Sequence, residues 1–142
     1  MELQKVLKEL ITYPTEANWF EFKVNWYEPN GIGEYISSLA NAAAMGGREC
    51  GYLVWGVDND SHEIVGTSFN YRTTVRDEPL EHYLARQIVP DNSFSFHEIM
   101  IEGKRVVILI VSAANKIPTG FAGNRYIRIG SSKVNLNKYP ER

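Results

Sequence analysis

Three places along the chain carry carboxylates that could act together: Glu16, Glu21 and the turn holding Asp58 and Asp60. Clustered carboxylates repel one another unless a cation or a basic side chain neutralises them. Oxygen ligands of this kind suit magnesium or manganese. Such an ion stabilises the charge that develops on a phosphodiester and orients an attacking water. Lys23, Arg125, Arg128 and Lys133 supply cations able to hold phosphates, and Tyr126 and Trp19 supply rings on which bases stack. The plainer reading of the same residues is surface carboxylates paired with surface lysines. The two readings divide on geometry: Glu21 meets the acidic turn only if its strand lies beside the strand that runs into Asp58.

The elements that must position these groups centre on Ala40 to Asp60, ANAAAMGGRECGYLVWGVDND. Its alanines are good helix formers with little side chain, so another layer can approach closely. Gly46 and Gly47 can end that helix in the left-handed conformation. Tyr52 to Trp55 is a short apolar strand, and Gly56 lets the backbone bend before the acidic turn. Polar groups at the end of a buried strand are a common place for a site. Upstream, Trp19 to Val24 alternates as a strand. Phe20, Phe22 and Val24 share one face, and Trp19, Glu21 and Lys23 share the other. That second face reads either as part of a site or as a solvated surface with a cross-strand ion pair.

The rest of the chain supplies the frame. Leu3, Val6, Leu7 and Leu10 recur at helical spacing and predict a helix over 2–12, ended before Pro14. Residues 28–33 read as a loop, followed by a helix from about Gly33 to Met45 with Ile36, Leu39, Ala40 and Ala43 on its apolar stripe. Asn41 lies off the stripe; it is either exposed or buried and bracing the acidic turn. Strands are expected over 51–57 and 61–67, joined by a turn at 59–61. A helix starts near Pro79, buries Leu80, Leu84 and Ile88, and ends at Pro90. Residues 94–101 alternate as a strand, Val106 to Val111 read as a central strand covered on both faces, 119–124 as a loop, and Arg125 to Ile129 as a last strand with Tyr126 and Arg128 on one side. The expected fold is therefore α+β, a single domain over residues 1–142 with about six strands in a mixed sheet and three helices.

Composition narrows the function. With 142 residues, 44% hydrophobic and 23% charged, the chain has the makings of one ordinary globular core. Its formal net charge of −2 means that nucleic-acid contact must come from a local patch. One cysteine, Cys50, leaves no disulfide framework or cysteine-based zinc site and suits a reducing cytoplasm. No apolar run approaches the ~20 residues that span a bilayer. Gly31 and Gly33 begin like a dinucleotide fingerprint, but Ile36 stands where it needs glycine. Gly46 and Gly47 follow a helix, the end that repels phosphate. His62, His82 and His97 lack ligand spacing, and Ser131 and Ser132 lack the partners of a nucleophile.

Four motifs occur together: Glu16-x4-Glu21-Phe22-Lys23, LANAAAMGG at 39–47, WGVDN at 55–59 with IVG at 64–66, and YIRIGSS at 126–132. In this order they resemble the AlbA-like domain of the Schlafen family. The resemblance implies a mixed α/β nucleic-acid-binding domain, DNA or RNA, with a regulatory role. In bacteria such a domain often stands at the N-terminus of a larger ATP-binding regulator with ATPase-like and winged-helix regions. The tail LNKYPER fits a linker cut from something longer. Some Schlafen members cleave RNA, transfer RNA especially, with three acidic residues. Glu16 and Glu21 match the first two. The third falls at Asn59, with Asp58 before it and Asp60 after it. Asparagine brings no charge, so metal affinity falls.

Three expectations follow. One is a nucleic-acid-binding domain using Lys23, Arg125, Tyr126, Arg128 and Lys133. The second is a magnesium- or manganese-dependent endoribonuclease using Glu16, Glu21 and Asp58. The third is a structural module or homodimer.

Overall fold

The computed structural model describes residues 2–14, 17–115, 117–129 and 132–135. The chain opens with α1 (Leu3–Leu10), whose apolar stripe buries Leu7 and Leu10. Next come β1 (Phe20–Lys23) and α2 (Pro29–Met45). The helix begins earlier than the expected Gly33. Pro29 takes the first position, where a missing N–H costs nothing. The two glycines behind it are inside the helix, and they serve packing. A Cβ on Gly33 would stand 2.2 Å from the ring of Phe121.

After α2 the chain forms β2 (Cys50–Trp55), a two-residue ribbon of β3 (Thr74–Val75) and β4 (Glu78–Pro79), α3 (Leu80–Ala85) and β5 (Ile88–Val89). It ends with β6 (Phe94–Ile101), β7 (Lys104–Ser112), β8 (Gly120–Phe121), β9 (Asn124–Ile129) and β10 (Ser132–Asn135). The main sheet is mixed, in the order β1-β2-β7-β6, with β1 parallel to β2 and Glu21 opposite Leu53. A second, antiparallel sheet has the order β10-β9-β8-β5. The fold is α+β with three helices, and the described residues form ten strands, several of them only two residues long.

Two apolar clusters fill the two sides of the main sheet. Leu7 and Leu10 of α1 meet Phe20, Phe22, Val54, Val106 and Ile108. Ile32, Ile36, Leu39 and Ala40 of α2 meet Leu53, Trp55, Val107 and Leu109. The aliphatic run of β7 is thus covered on both faces, as its composition requires. α2 also packs against β8, β9 and β10 on its far side, so most of its circumference is buried. A helix enclosed in this way cannot carry a charged face, and between Ile36 and Ala44 it has none.

Some local expectations differ from the structure. Residues 61–67 form no strand; a single bridge joins Val57 to Ile64. His62 and Gly66 take positive φ and break the extended run. α3 stops at Ala85, and Ile88 belongs to β5, paired with Phe121. Residues 120–129 form a β8–β9 hairpin that turns through Ala122 and Gly123, both at positive φ. The tail 136–142 lies outside the described residues.

The close approach of α2 to the sheet sets a test. A Cβ on Gly51 of β2 would lie 2.9 Å from the Leu39 carbonyl oxygen and 3.1 Å from that of Trp19. Backbone on both sides cannot step aside as a side chain would. Gly51→Ala should cost about 1–3 kcal/mol by overpacking, read as a lower denaturant midpoint at an unchanged slope. A neutral result would mean that α2 rides higher over β2.

Candidate functional site

Alternation along β1 points Phe20 and Phe22 towards α1 and leaves Glu21 on the α2 side. Glu21 is buried, with 5% of its surface exposed. Its Oε1 accepts hydrogen bonds from Arg128 Nη1 at 3.1 Å and from the Tyr35 hydroxyl at 3.2 Å. Its Oε2 accepts from the Phe22 N–H at 3.2 Å. Arg128, on β9, is expected from sequence to reach outward to phosphate. Instead its side chain has no exposure and pairs with Glu21. The reason is the second sheet, which lays β9 against α2. Among the described residues, Arg128 Nε and Nη2 are buried without a hydrogen-bond partner. An unmet buried donor of this kind costs about 1–3 kcal/mol.

Tyr35 of α2 stands at the centre of the group. Lys133 Nζ lies 4.2 Å from its ring centroid, Lys23 Nζ 5.4 Å, and Arg128 Cζ 5.8 Å. Lys23 also sits 4.9 Å over Trp26. These are cation–π distances. Lys133, directly opposite Arg128 in the β9–β10 ladder, pairs with Glu34 at 3.2 Å. Burial pushes the Lys23 ammonium below its ordinary value; Glu21 opposes the shift, while Lys133 and Arg128 add to it. Burial and the neighbouring Glu21 push the Tyr35 phenol well above its usual range, so it stays protonated and donates. Tyr126 is half-buried and Arg125 exposed. Burial, then Glu34, raises the Tyr126 phenol.

Asp58 has a different role. Its Oδ1 accepts from the N–H groups of Asp60 at 2.9 Å and Ser61 at 2.8 Å, and from the Ser61 hydroxyl at 3.2 Å. Those bonds, the backbone donors first, hold its carboxyl below the ordinary carboxylate value. β1 and β2 do lie side by side, as convergence of Glu21 and Asp58 requires. Yet the Glu21 carboxylate turns to Arg128, and Asp58 closes its own turn. Among the described residues, no three His, Cys, Asp or Glu side chains group to hold a metal ion. Glu16 lies outside the described residues. Among the described residues the donor set, one carboxylate hemmed by Lys23, Arg128 and Lys133, fits an ion pair and does not fit a divalent cation.

Two further expectations resolve here. Asn41 is buried, but it braces Thr119 and Tyr126 and leaves the acidic turn alone. Its amide N–H donates to their carbonyls at 3.0 Å and 2.7 Å, and its Oδ1 accepts from the Thr119 N–H. Trp19 sits across the main sheet, in a cleft of about 450 Å³ lined also by Val6, Leu10 and Tyr52. The Arg48 guanidinium lies 3.9 Å from its ring centroid. Sequence reasoning passed over Tyr35, Trp26 and Glu34. Tyr35 adjoins Ile36, so a one-sided helix stripe leaves it out; only a second covering layer buries it.

Two outcomes check this geometry. Glu21→Gln or Arg128→Met alone should cost about 3–5 kcal/mol, because each leaves a buried group without its partner. The double variant should cost much less than their sum; additive losses would show that the pair does not form. The Asp58 carboxyl, followed by carbon NMR, should titrate below 3.8. Its stabilising share is complete above the unfolded value and is lost as pH falls through the lower folded one. Ser61→Ala should lift the value only partly, since both backbone donors remain.

Residues 16–137 match the family described as Schlafen, AlbA_2. A crystal structure of a Corynebacterium diphtheriae protein superposes with a TM-score of 0.55 at 15% identity, over 94% of this chain and 26% of that one. The chain thus spans about a quarter of that relative's length. The N-terminal domain of a Nitrosomonas europaea protein, described as ATP-dependent DNA helicase RecG-related and solved by NMR, superposes with a TM-score of 0.52 at 23% identity. That match covers 90% of this chain and 88% of the domain. At these identities the likeness is one of fold. No curated protein matches. The family match covers most of the chain and takes in all four sequence motifs, and the chain belongs to the Schlafen AlbA_2 family.

Proposed function

We propose that this chain is a nucleic-acid-binding domain whose contact surface is built on Lys23 and Lys133, with Arg125 and Tyr126 beside them. One observation carries the reading. Lys23, Arg128 and Lys133 gather around the Tyr35 ring, in a chain whose net charge is −2. A basic, aromatic-lined patch on an otherwise acidic protein confines attraction for phosphate to one place. The half-buried Lys23, with its lowered pKa, gains from an anion that offsets the neighbouring positive charges. Family membership supports a role with nucleic acid and leaves DNA or RNA open. A place beside ATPase-like and winged-helix regions of a regulator accords with the neighbour that is the N-terminal domain of a helicase-related protein.

The endoribonuclease reading, with Glu16, Glu21 and Asp58 around magnesium or manganese, is the weaker of the two. The commitment of Glu21 to Arg128 counts against it. Glu21→Ala cannot test it cleanly, because the substitution removes one half of a buried pair. Glu16→Gln and Asp58→Asn leave that pair alone. Equal cleavage of transfer RNA with manganese by the wild type and both variants would dismiss these acids as catalysts.

For binding, the affinity for single-stranded RNA or DNA should fall steeply with salt. Each of Lys23→Ala and Lys133→Ala should flatten the log–log slope by about 0.7–0.9 if it removes one phosphate contact. Absence of binding at low salt, or a slope near zero, would end the proposal.

A further inference from the structure

Arg128 has more donors than the fold uses. Nη1 serves Glu21, while Nε and Nη2 are buried without a partner among the described residues. Those two nitrogens share one edge of the guanidinium. Together they form the planar fork that grips two oxygens of a phosphate or carboxylate. An open fork on a side chain with 0% exposure runs against the rule that buried donors are paired. The charge around it leans the same way. Lys23 and Lys133 stand with Arg128 about the Tyr35 ring, against the carboxylates of Glu21 and Glu34.

We propose that the Arg128 fork is an oxyanion subsite for a terminal phosphoryl group of a nucleic-acid strand. The proposal rests on the nucleic-acid reading above and sharpens it. An internal phosphodiester has a nucleoside on both sides and reaches exposed lysines more readily than a covered guanidinium. A terminal phosphoryl group can lead its strand into a recess. It also carries about −1.5 to −2 charge at neutral pH, where an internal diester carries a single charge. Access requires β10 to shift. That strand ends the second sheet and holds Lys133 opposite Arg128. Its side chains are tethered by the partly exposed Lys133–Glu34 pair, a weak class of contact, by Lys133 over the Tyr35 ring and by Asn135, which donates to Asn124 Oδ1 at 3.2 Å. On entry, phosphoryl oxygens would take the Nε and Nη2 donors while Nη1 keeps Glu21.

The test uses short single-stranded RNA of one sequence, with a phosphate at either end or hydroxyls at both, measured by fluorescence anisotropy at fixed salt. Phosphorylated strands should bind about tenfold more tightly. The preference should vanish in Arg128→Lys, which keeps a charge for Glu21 and loses the fork. Equal affinity for all strands in the wild type overturns the proposal. So does a preference that survives in a folded Arg128→Lys variant. A second measurement covers a variant that fails to fold, or a wild type that binds no RNA, in which case the nucleic-acid reading falls on its own. Inorganic phosphate is titrated into isotope-labelled wild type while the Arg128 Nε–H resonance is followed. Movement of that resonance upholds the oxyanion subsite with free phosphate as its source; a resonance that stays fixed overturns it.

Discussion

A carboxylate on the main sheet and a guanidinium on the second sheet meet inside this protein, 107 residues apart in sequence. The rest of the arrangement depends on that meeting. Each charge would be costly to bury alone, by several kcal/mol even after relaxation. Each is tolerable only when the other is in place. β1 and β9 must therefore be held together about α2, with Tyr35 between them as a hydrogen-bond donor and an aromatic floor. Such a pair adds little net stability compared with an apolar filling of the same volume. What it supplies is a penalty for misassembly, because any slip of β9 by one residue would turn Arg128 to the other face of its sheet.

The second sheet needs that constraint, since much of its attachment to α2 is polar. Ser37 donates to the Thr119 carbonyl at 2.9 Å and accepts from the Tyr126 N–H at 3.0 Å. Asn41, one helical turn on, holds the same two segments. These side chains satisfy backbone groups at the edge where β8 and β9 approach the helix. Apolar contact adds Phe121, seated over Gly33. A hydrophobic interface tolerates sliding; a seam of paired donors and acceptors has one register. Lys133 of β10 is thereby brought to the Tyr35 ring, where Lys23 arrives from β1.

The sequence made the main layer legible and concealed most of the second. α1, β1, β2, β6 and β7 follow from period and composition, since long apolar runs and clean alternation mark them. The end of α2 follows from Gly47, which takes the left-handed φ of +70°. Of the second sheet, β9 was legible as the strand expected over Arg125 to Ile129, but its neighbours β5 and β8 are two residues each and have no period to detect. Without that sheet, Glu21 and Lys23 read as a solvated face, and Arg128 as an outward phosphate ligand. Alternation correctly grouped Glu21 with Lys23; it could not say what covered them. The bonds within the acidic turn were hidden for a related reason. Spacing shows which carboxylates share an end of a sheet, but not that the Asp58 oxygen is spent on the N–H groups of its own turn.

The charge arrangement bears on catalysis as well as binding. A metal-dependent nuclease needs carboxylate oxygens able to ligate the ion. Here Glu21 is already paired with Arg128, and burial lowers the Lys23 pKa, with Glu21 opposing the shift and Lys133 and Arg128 adding to it. Among the described residues the group sets three cations, Lys23, Arg128 and Lys133, against two carboxylates, Glu21 and Glu34. That balance leans towards an entering anion. It does so through the same ion pair that keeps the two sheets in register.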